Sequence, residues 1–212
     1  MALCVRALSL GGIGFTTSAT AASSAKDGSS GCGTGSPKTA ILSLKIDGFN
    51  RMVIVHVPTS YSNTTKLPPV LNLHGRGSTA AKPDVFTDMD QTADQEDFIV
   101  AFPQALILEG TGFDWNIPGV PLVGGRAVPA GSANDVKFLS SLVGGLEHMY
   151  CVNPLAVYAT RFSGGAREVS PLACDDSKLF APVAPVSGLR HPKPCSTKRR
   201  ADHRLSRLER PR

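Results

Sequence analysis

Tyr158-Ala-Thr-Arg-Phe-Ser163-Gly-Gly-Ala166 is the stretch on which the reading of this chain turns. An apolar, β-prone run enters a Gly-Gly pair with a serine at the corner. This is nearly Gly-x-Ser-x-Gly, the strand-to-helix turn that lifts a serine hydroxyl above a sheet and aims the following amide at an oxyanion. Gly165 supplies the second glycine, whereas Arg161 stands where the first is wanted. A serine at this place also suits an ordinary helix N-cap. What favours the elbow is its setting, because strand and helix alternate on both sides of it.

Upstream, Ile41–Asp47 and Met52–Val57 read as short strands joined in a hairpin at Gly48-Phe49-Asn50. Pro69–His74 reads as a buried strand, Val85–Asp97 as a helix, and Phe98–Phe102 as a second buried strand closed by Pro103. Residues 104–131 are rich in Gly and Pro and long for a structureless loop, and such loops are often functional. Ser132–Tyr150 is the clearest helix: Ser132 caps it, Asp135 lies in its first turn, and Val136, Leu139, Leu142, Val143 and Leu146 make one face. Leu155–Phe162 is a strand, Gly164 opens a helix, and Phe180–Val186 is another strand. The alternation predicts an α/β fold with a mostly parallel sheet and helices on both faces.

A serine hydroxyl is a weak nucleophile without a base in reach. The histidines after Ser163 are His191 and His203, and the acids are Glu168, Asp175, Asp176, Asp202 and Glu209. None has the spacing of an acid on one strand followed by a histidine on a later one, so no Asp or His is assigned to a triad. His74-Gly75-Arg76-Gly77, at the end of a strand, could supply a second backbone donor to an oxyanion, or could be just a tight turn. Trp115, the single tryptophan, reads either as lining a pocket for an acyl or phenolic group or as a loop anchor packed on the core.

At 212 residues and 42% hydrophobic content the chain suits one globular domain. Its charge is uneven. Residues 196–212 hold seven Lys/Arg and two acids, a net of +5 that equals the formal charge of the whole chain; residues 1–195 are balanced. No aromatic interleaves these arginines and the body carries no nucleic-acid motif, so nucleic acid is not expected as a partner. Arg6, the apolar run from Ala7 to Phe15 and the Ala19-Thr-Ala21 site suggest a secretory signal over residues 1–21. That run is too short for a membrane span, and none is expected elsewhere. Losing Cys4 with the signal leaves Cys32, Cys151, Cys174 and Cys195, enough for two disulfides in three possible pairings. Cys174 with Cys195, which bracket one helix-to-strand step, is the preferred first pair, leaving Cys32 to join Cys151.

With these blocks in place, the chain resembles secreted feruloyl esterases and related polyhydroxybutyrate-depolymerase-like esterases, which are α/β-hydrolases. The resemblance runs from about Gly31 to Cys195. It includes Gly31-Cys-Gly33, Val55-His-Val-Pro58, Leu73-His-Gly-Arg-Gly-Ser78, Phe113-Asp-Trp-Asn116, Asn134-Asp-Val-Lys-Phe-Leu139, the elbow itself, Leu172-Ala-Cys174 and Ala184-Pro-Val-Ser-Gly188. It implies a Ser-His-Asp hydrolase with no metal and no cofactor, acting on esters such as ferulate on plant-wall polysaccharide or on short acyl and polyester bonds. Ser163 maps onto the nucleophile, and Arg76 and Gly164 onto the oxyanion donors; His74 and Trp115 are expected to meet substrate.

Two departures stand against the family pattern. Arg161 replaces a tightly packed glycine and should strain or displace the turn, and Pro171 falls inside the following helix. After Pro194-Cys195 the family continues with an apolar strand, a His-Gly-x-x-Asp segment and a later His, whereas this chain gives Ser196-Thr-Lys-Arg-Arg200. That change fits a shifted reading frame, a mispredicted exon or a true short product. The expected organisation is therefore a signal peptide at 1–21, an extended lead-in at 22–40, an incomplete α/β-hydrolase domain at 41–195 that lacks its last strands, and a basic disordered tail at 196–212. The expected molecule is a secreted, extracellular monomer, an ester hydrolase of doubtful activity. The alternatives are an inactive relative that keeps a carbohydrate- or aromatic-ester-binding pocket and, least favoured, a polyanion binder acting through its tail.

Overall fold

The computed structural model describes residues 29–34, 38–82, 87–176 and 178–187. The signal segment, most of the lead-in, the basic tail, Cys195, His191 and His203 lie outside them. The first two strands, β1 (Ala40–Ile46) and β2 (Phe49–His56), pair antiparallel with Ile46 opposite Phe49. The turn is therefore the two residues Asp47 and Gly48, both at positive φ (51° and 82°). Two-residue turns of this hand match the twist of the strands they join, so Phe49 and Asn50 belong to β2 rather than to the turn.

Next come β3 (Pro69–Leu73), α1 (Met89–Glu96), β4 (Ile99–Pro103), a small hairpin of β5 (Ile107–Glu109) and β6 (Gly112–Asp114), α2 (Asp135–Met149), β7 (Tyr158–Phe162), α3 (Gly164–Asp175) and β8 (Val183–Val186). Six strands form one sheet in the order β1-β2-β4-β3-β7-β8. The pairs β4–β3, β3–β7 and β7–β8 are parallel; β1 and β2 are added antiparallel at one side.

Side-chain parity along β4 shows the layers. Ile99 and Ala101 join the larger core with Phe138, Leu139, Leu142, Val143 and Leu146 of α2, while Val100 and Phe102 face the other way, against Ala93 of α1. β2 divides likewise, with Val53 and Val55 in the larger core and Ile54 on the opposite face. Helices thus cover both faces, as the continuous apolar runs of central parallel strands require. Each of the five α2 side chains contributes roughly 1.5–3 kcal/mol by burial.

α2 starts later than its sequence suggests. Asn134, not Ser132, is the cap: its side chain accepts from the Lys137 amide, while the Ser132 hydroxyl donates to Pro129 O. Asp135 has a deeper task than helix polarity. It is buried and accepts from Arg51 at 2.6 Å and from the Asn116 amide at 2.7 Å. Arg51 occupies a core-facing position of β2 and stacks its guanidinium 3.6 Å over the Phe138 ring. A cation in the core is tolerated only when paired in this way.

Cys32 and Cys151 are joined by a disulfide spanning 119 residues. It fastens the segment before β1 to the end of α2, where Gly31 N also donates to Glu147 O. α3 runs through Pro171 without breaking. Among the described residues no helix is long and apolar enough to cross a membrane.

Candidate functional site

Ser163 stands where β7 ends and α3 begins, with φ 58° and ψ −123°. This conformation is sparsely populated for a residue with a Cβ and costs on the order of 1–3 kcal/mol. The surroundings enforce it. Ser163 N donates to Val186 O at the end of β8, and Ala166 N returns to Ser163 O. The serine is exposed, and its side chain does not cap α3. An ordinary N-cap has β-region dihedrals and bonds its own helix; the elbow reading fits this corner and the capping reading does not.

Two close approaches explain the Gly-Gly pair. A Cβ at Gly164 would lie 2.7 Å from the Arg76 amide nitrogen, and one at Gly165 would lie 2.6 Å from His74 O. The loop after β3 therefore touches the first turn of α3 backbone to backbone. Among the described residues neither the Arg76 nor the Gly164 amide donates to a protein acceptor. Backbone amides of this kind beside an exposed serine are the groups that can bind a negatively charged oxygen. Arg161 does not displace this turn. Its side chain lies against Gly165, where an added Cβ would fall 2.1 Å from Arg161 Cγ, and burial pulls its guanidinium down to about 10.

His74 and Trp115 hold the loop from beneath and are not placed to meet substrate directly. His74 is fully buried. Its Nδ1 donates to Gly75 O at 2.8 Å, and its Nε2 accepts from Ala105 N at 3.0 Å and from Gln104 Nε2 at 3.2 Å. Burial pulls its imidazole from 6.5 down to about 4, so it stays neutral. Trp115 is 3% exposed; its indole packs on the His74 ring and donates to His74 O at 2.8 Å. Both side chains use their polar atoms on the protein, so the anchor reading of Trp115 is the one the geometry favours.

The β5–β6 hairpin clamps the same loop from the side. Gly77 N donates to Phe113 O, and Phe113 N to Ser78 O, both at 2.9 Å. Glu109 accepts from Arg76 through Oε1 and from Arg126 through Oε2. Beyond the hairpin the chain forms a cleft of about 570 Å³ lined by Asn116, Pro118, Val120, Pro121, Ala127 and Val128. Arg167, in the first turn of α3, donates to Pro121 O at 3.0 Å and ties this cleft to the elbow.

No protein-family model and no curated protein matches the chain. Solved structures do match it. An acetyl xylan esterase from Aspergillus awamori superimposes with a TM-score of 0.55 at 17% identity, covering 68% of this chain and 50% of that one. The chain has the α/β-hydrolase fold. S-formylglutathione hydrolase (FrmB) from Staphylococcus aureus gives 0.54 at 16% identity, with 71% and 57% covered. A ferulic acid esterase gives 0.52 at 18% identity, with 75% and 64% covered. The chain spans between half and just under two thirds of the length of these three structures.

In an α/β-hydrolase fold the crevice lies outside the carboxyl ends of the parallel strands. His74, Gln104 and Ser163 stand at the ends of β3, β4 and β7, all on that side. The hydrogen-bonded pair His56–Asp94 (3.2 Å) does not serve Ser163, because His56 pairs with Val100 near the start of β4, at the opposite end of the sheet. Among the described residues, then, no histidine stands ready to take the Ser163 proton. No group of three or more His, Cys, Asp or Glu could hold a metal ion among them either. Gln104, Glu109 and the Arg51–Asp135 pair are site-building residues that sequence reasoning missed.

Proposed function

We propose that this chain derives from a secreted serine hydrolase of carboxylic esters, of the feruloyl-esterase kind. Ser163 is its nucleophile, and the Arg76 and Gly164 amides bind the oxyanion. The observation that carries the reading is the strained, exposed Ser163 with the Arg76 backbone packed against Gly164, the residue that follows it. Attack by Ser163 Oγ on an ester carbonyl would put negative charge on the carbonyl oxygen, where preorganised amides are worth most. The cleft beside the elbow suits an acyl group: its prolines and valines offer rigid apolar walls, and its volume lies within the ordinary range of ligand sites. Ferulate esters of plant-wall polysaccharide, or small ester substrates, are the substrates this reading favours. It needs no metal or cofactor and treats the chain as an extracellular monomer.

A second reading has an observation of its own. With no histidine beside Ser163 among the described residues, the chain would keep the pocket and lose turnover, leaving a binder of aromatic esters or carbohydrate. A small fluorophosphonate offered to the full chain tests the nucleophile. Slow labelling located on Ser163 by peptide mass, and absent in Ser163→Ala, is expected; a folded wild-type chain that takes no label would overturn the serine-hydrolase reading. Methyl ferulate hydrolysis then separates the two readings. Slow turnover that Ser163→Ala removes favours the esterase, and binding without turnover favours the inactive relative.

A further inference from the structure

Arg76 has glycine on both sides, at Gly75 and Gly77, and Gly77 adopts φ 68°. Glycine leaves a backbone loose. The peptide plane that carries this amide is held on its carbonyl side, where Gly75 O accepts from His74 Nδ1 and from Ser78 N, and on its other side the Arg76 side chain is anchored. Its Nε donates to Glu109 Oε1 at 2.9 Å, and its Nη2 reaches the same oxygen.

The other Glu109 oxygen takes Arg126 Nη2. The Glu109 side chain is 16% exposed, against 38% for Arg76 and 45% for Arg126, so the carboxylate is sheltered while its partners reach outward. Charged hydrogen bonds to a sheltered carboxylate are stronger than exposed surface pairs. Asp114, buried at the end of the same hairpin, adds a second carboxylate with Oδ2 3.9 Å from Arg126 Nη2. Two cations and two anions thus balance at this corner. Arg126 also belongs to the cleft-forming segment, where Gly124 lies close to Arg76 Nη1.

We propose that Glu109 is a positioning residue: its carboxylate aims the Arg76 amide at the oxyanion position and fastens the cleft-forming loop to it. This rests on the serine-hydrolase reading above. Glu109 touches no reacting atom and acts through Arg76. Removing its charge leaves two neighbouring arginines to repel each other and loosens the Gly-flanked amide on its side-chain side, leaving the bonds to Gly75 O and Gly77 N as its remaining restraints.

The test is the rate of fluorophosphonate labelling of Ser163 in the full chain, compared among wild type, Glu109→Gln, Glu109→Asp, Arg76→Met and the double variant Glu109→Gln/Arg76→Met. Misplacing a catalytic donor slows reaction by on the order of ten- to a hundredfold. That slowing is expected for Glu109→Gln while the chain stays folded by circular dichroism at the assay temperature, with partial rescue in Glu109→Asp. Arg76→Met is expected to match Glu109→Gln, and the double variant to be no slower than either. Wild-type labelling in Glu109→Gln, or additive losses in the double variant, would overturn the proposal. If the wild-type chain takes no label, the hydrolase reading fails by itself. Amide hydrogen exchange over residues 75–78 then decides the role of Glu109: faster exchange in Glu109→Gln supports it, and unchanged exchange removes it.

Discussion

His74 shows how one buried side chain sets a local geometry and a pH dependence together. Its ring is neutral because burial penalises the charged form, and its nitrogens need that state: Nδ1 donates to Gly75 O while Nε2 accepts from Ala105 N. The unfolded chain binds a proton below about 6.5 and the folded chain only below about 4. Between those values the unfolded state holds more protons, so stability rises with pH. It is complete above 6.5 and is lost as pH falls toward 4, by roughly 3 kcal/mol for a shift of this size. Urea unfolding at a series of pH values should show this loss, and His74→Asn, whatever its own stability, should flatten that slope. Sequence reasoning found His74 from its place at a strand end but gave its ring to the substrate, because the burial that silences it comes from Trp115, Gln104 and Ala105, all at least 30 residues away. The corner at Ser163 was legible because its glycines and serine are neighbours in the chain, although Val186 O and the Arg76 backbone hold it from a distance.

Among the elements, α3 carries the clearest internal conflict. Pro171 lies within Gly164–Asp175, where it has no N–H to offer the carbonyl four residues back and its ring crowds that carbonyl. The helix survives because tertiary packing holds it: Leu172 is in the larger core, and the Asp176 amide closes the end on Leu172 O. Pro171→Ala should therefore stabilise the chain by about 3 kcal/mol, raising the melting temperature by several degrees in calorimetry; an unchanged or lower value would mean that the proline packing compensates. The β5–β6 hairpin teaches the converse. Its strands have three residues each, too short for periodicity to reveal inside a Gly/Pro-rich stretch, yet they hold the His74–Gly77 loop and carry Glu109. Helix α2 was plain from its apolar spacing, but its cap was displaced by two residues because Ser132 and Asn134 are both good caps, and only packing against Asn116 and Arg51 chooses the start.

At the scale of the molecule, the disulfide closes a long loop. Joining Cys32 to Cys151 across 119 residues restricts the unfolded chain and should contribute on the order of 4–5 kcal/mol. Reduction with a thiol at constant pH should lower the urea midpoint accordingly, and Cys32→Ser should reproduce the loss. A reduced chain as stable as the oxidised one would mean that the link adds nothing to what the Gly31–Glu147 and Ser29–Glu147 hydrogen bonds already hold. By itself the sequence determined the α/β alternation, the mostly parallel sheet, the elbow at Ser163 and the neighbouring His-Gly-Arg-Gly turn, because each is written in residues close together in the chain: apolar runs, glycines and a serine at fixed offsets. Only the tertiary structure decided that the Arg76 backbone packs against Gly164, that His74 and Trp115 are buried beneath the loop, that Arg51 is paired in the core with Asp135, and that Glu109 binds two arginines. Those facts depend on backbone approach and on pairings 17 to 88 residues apart. Burial and charge balance select such pairings when the sheet assembles, and no local pattern encodes them.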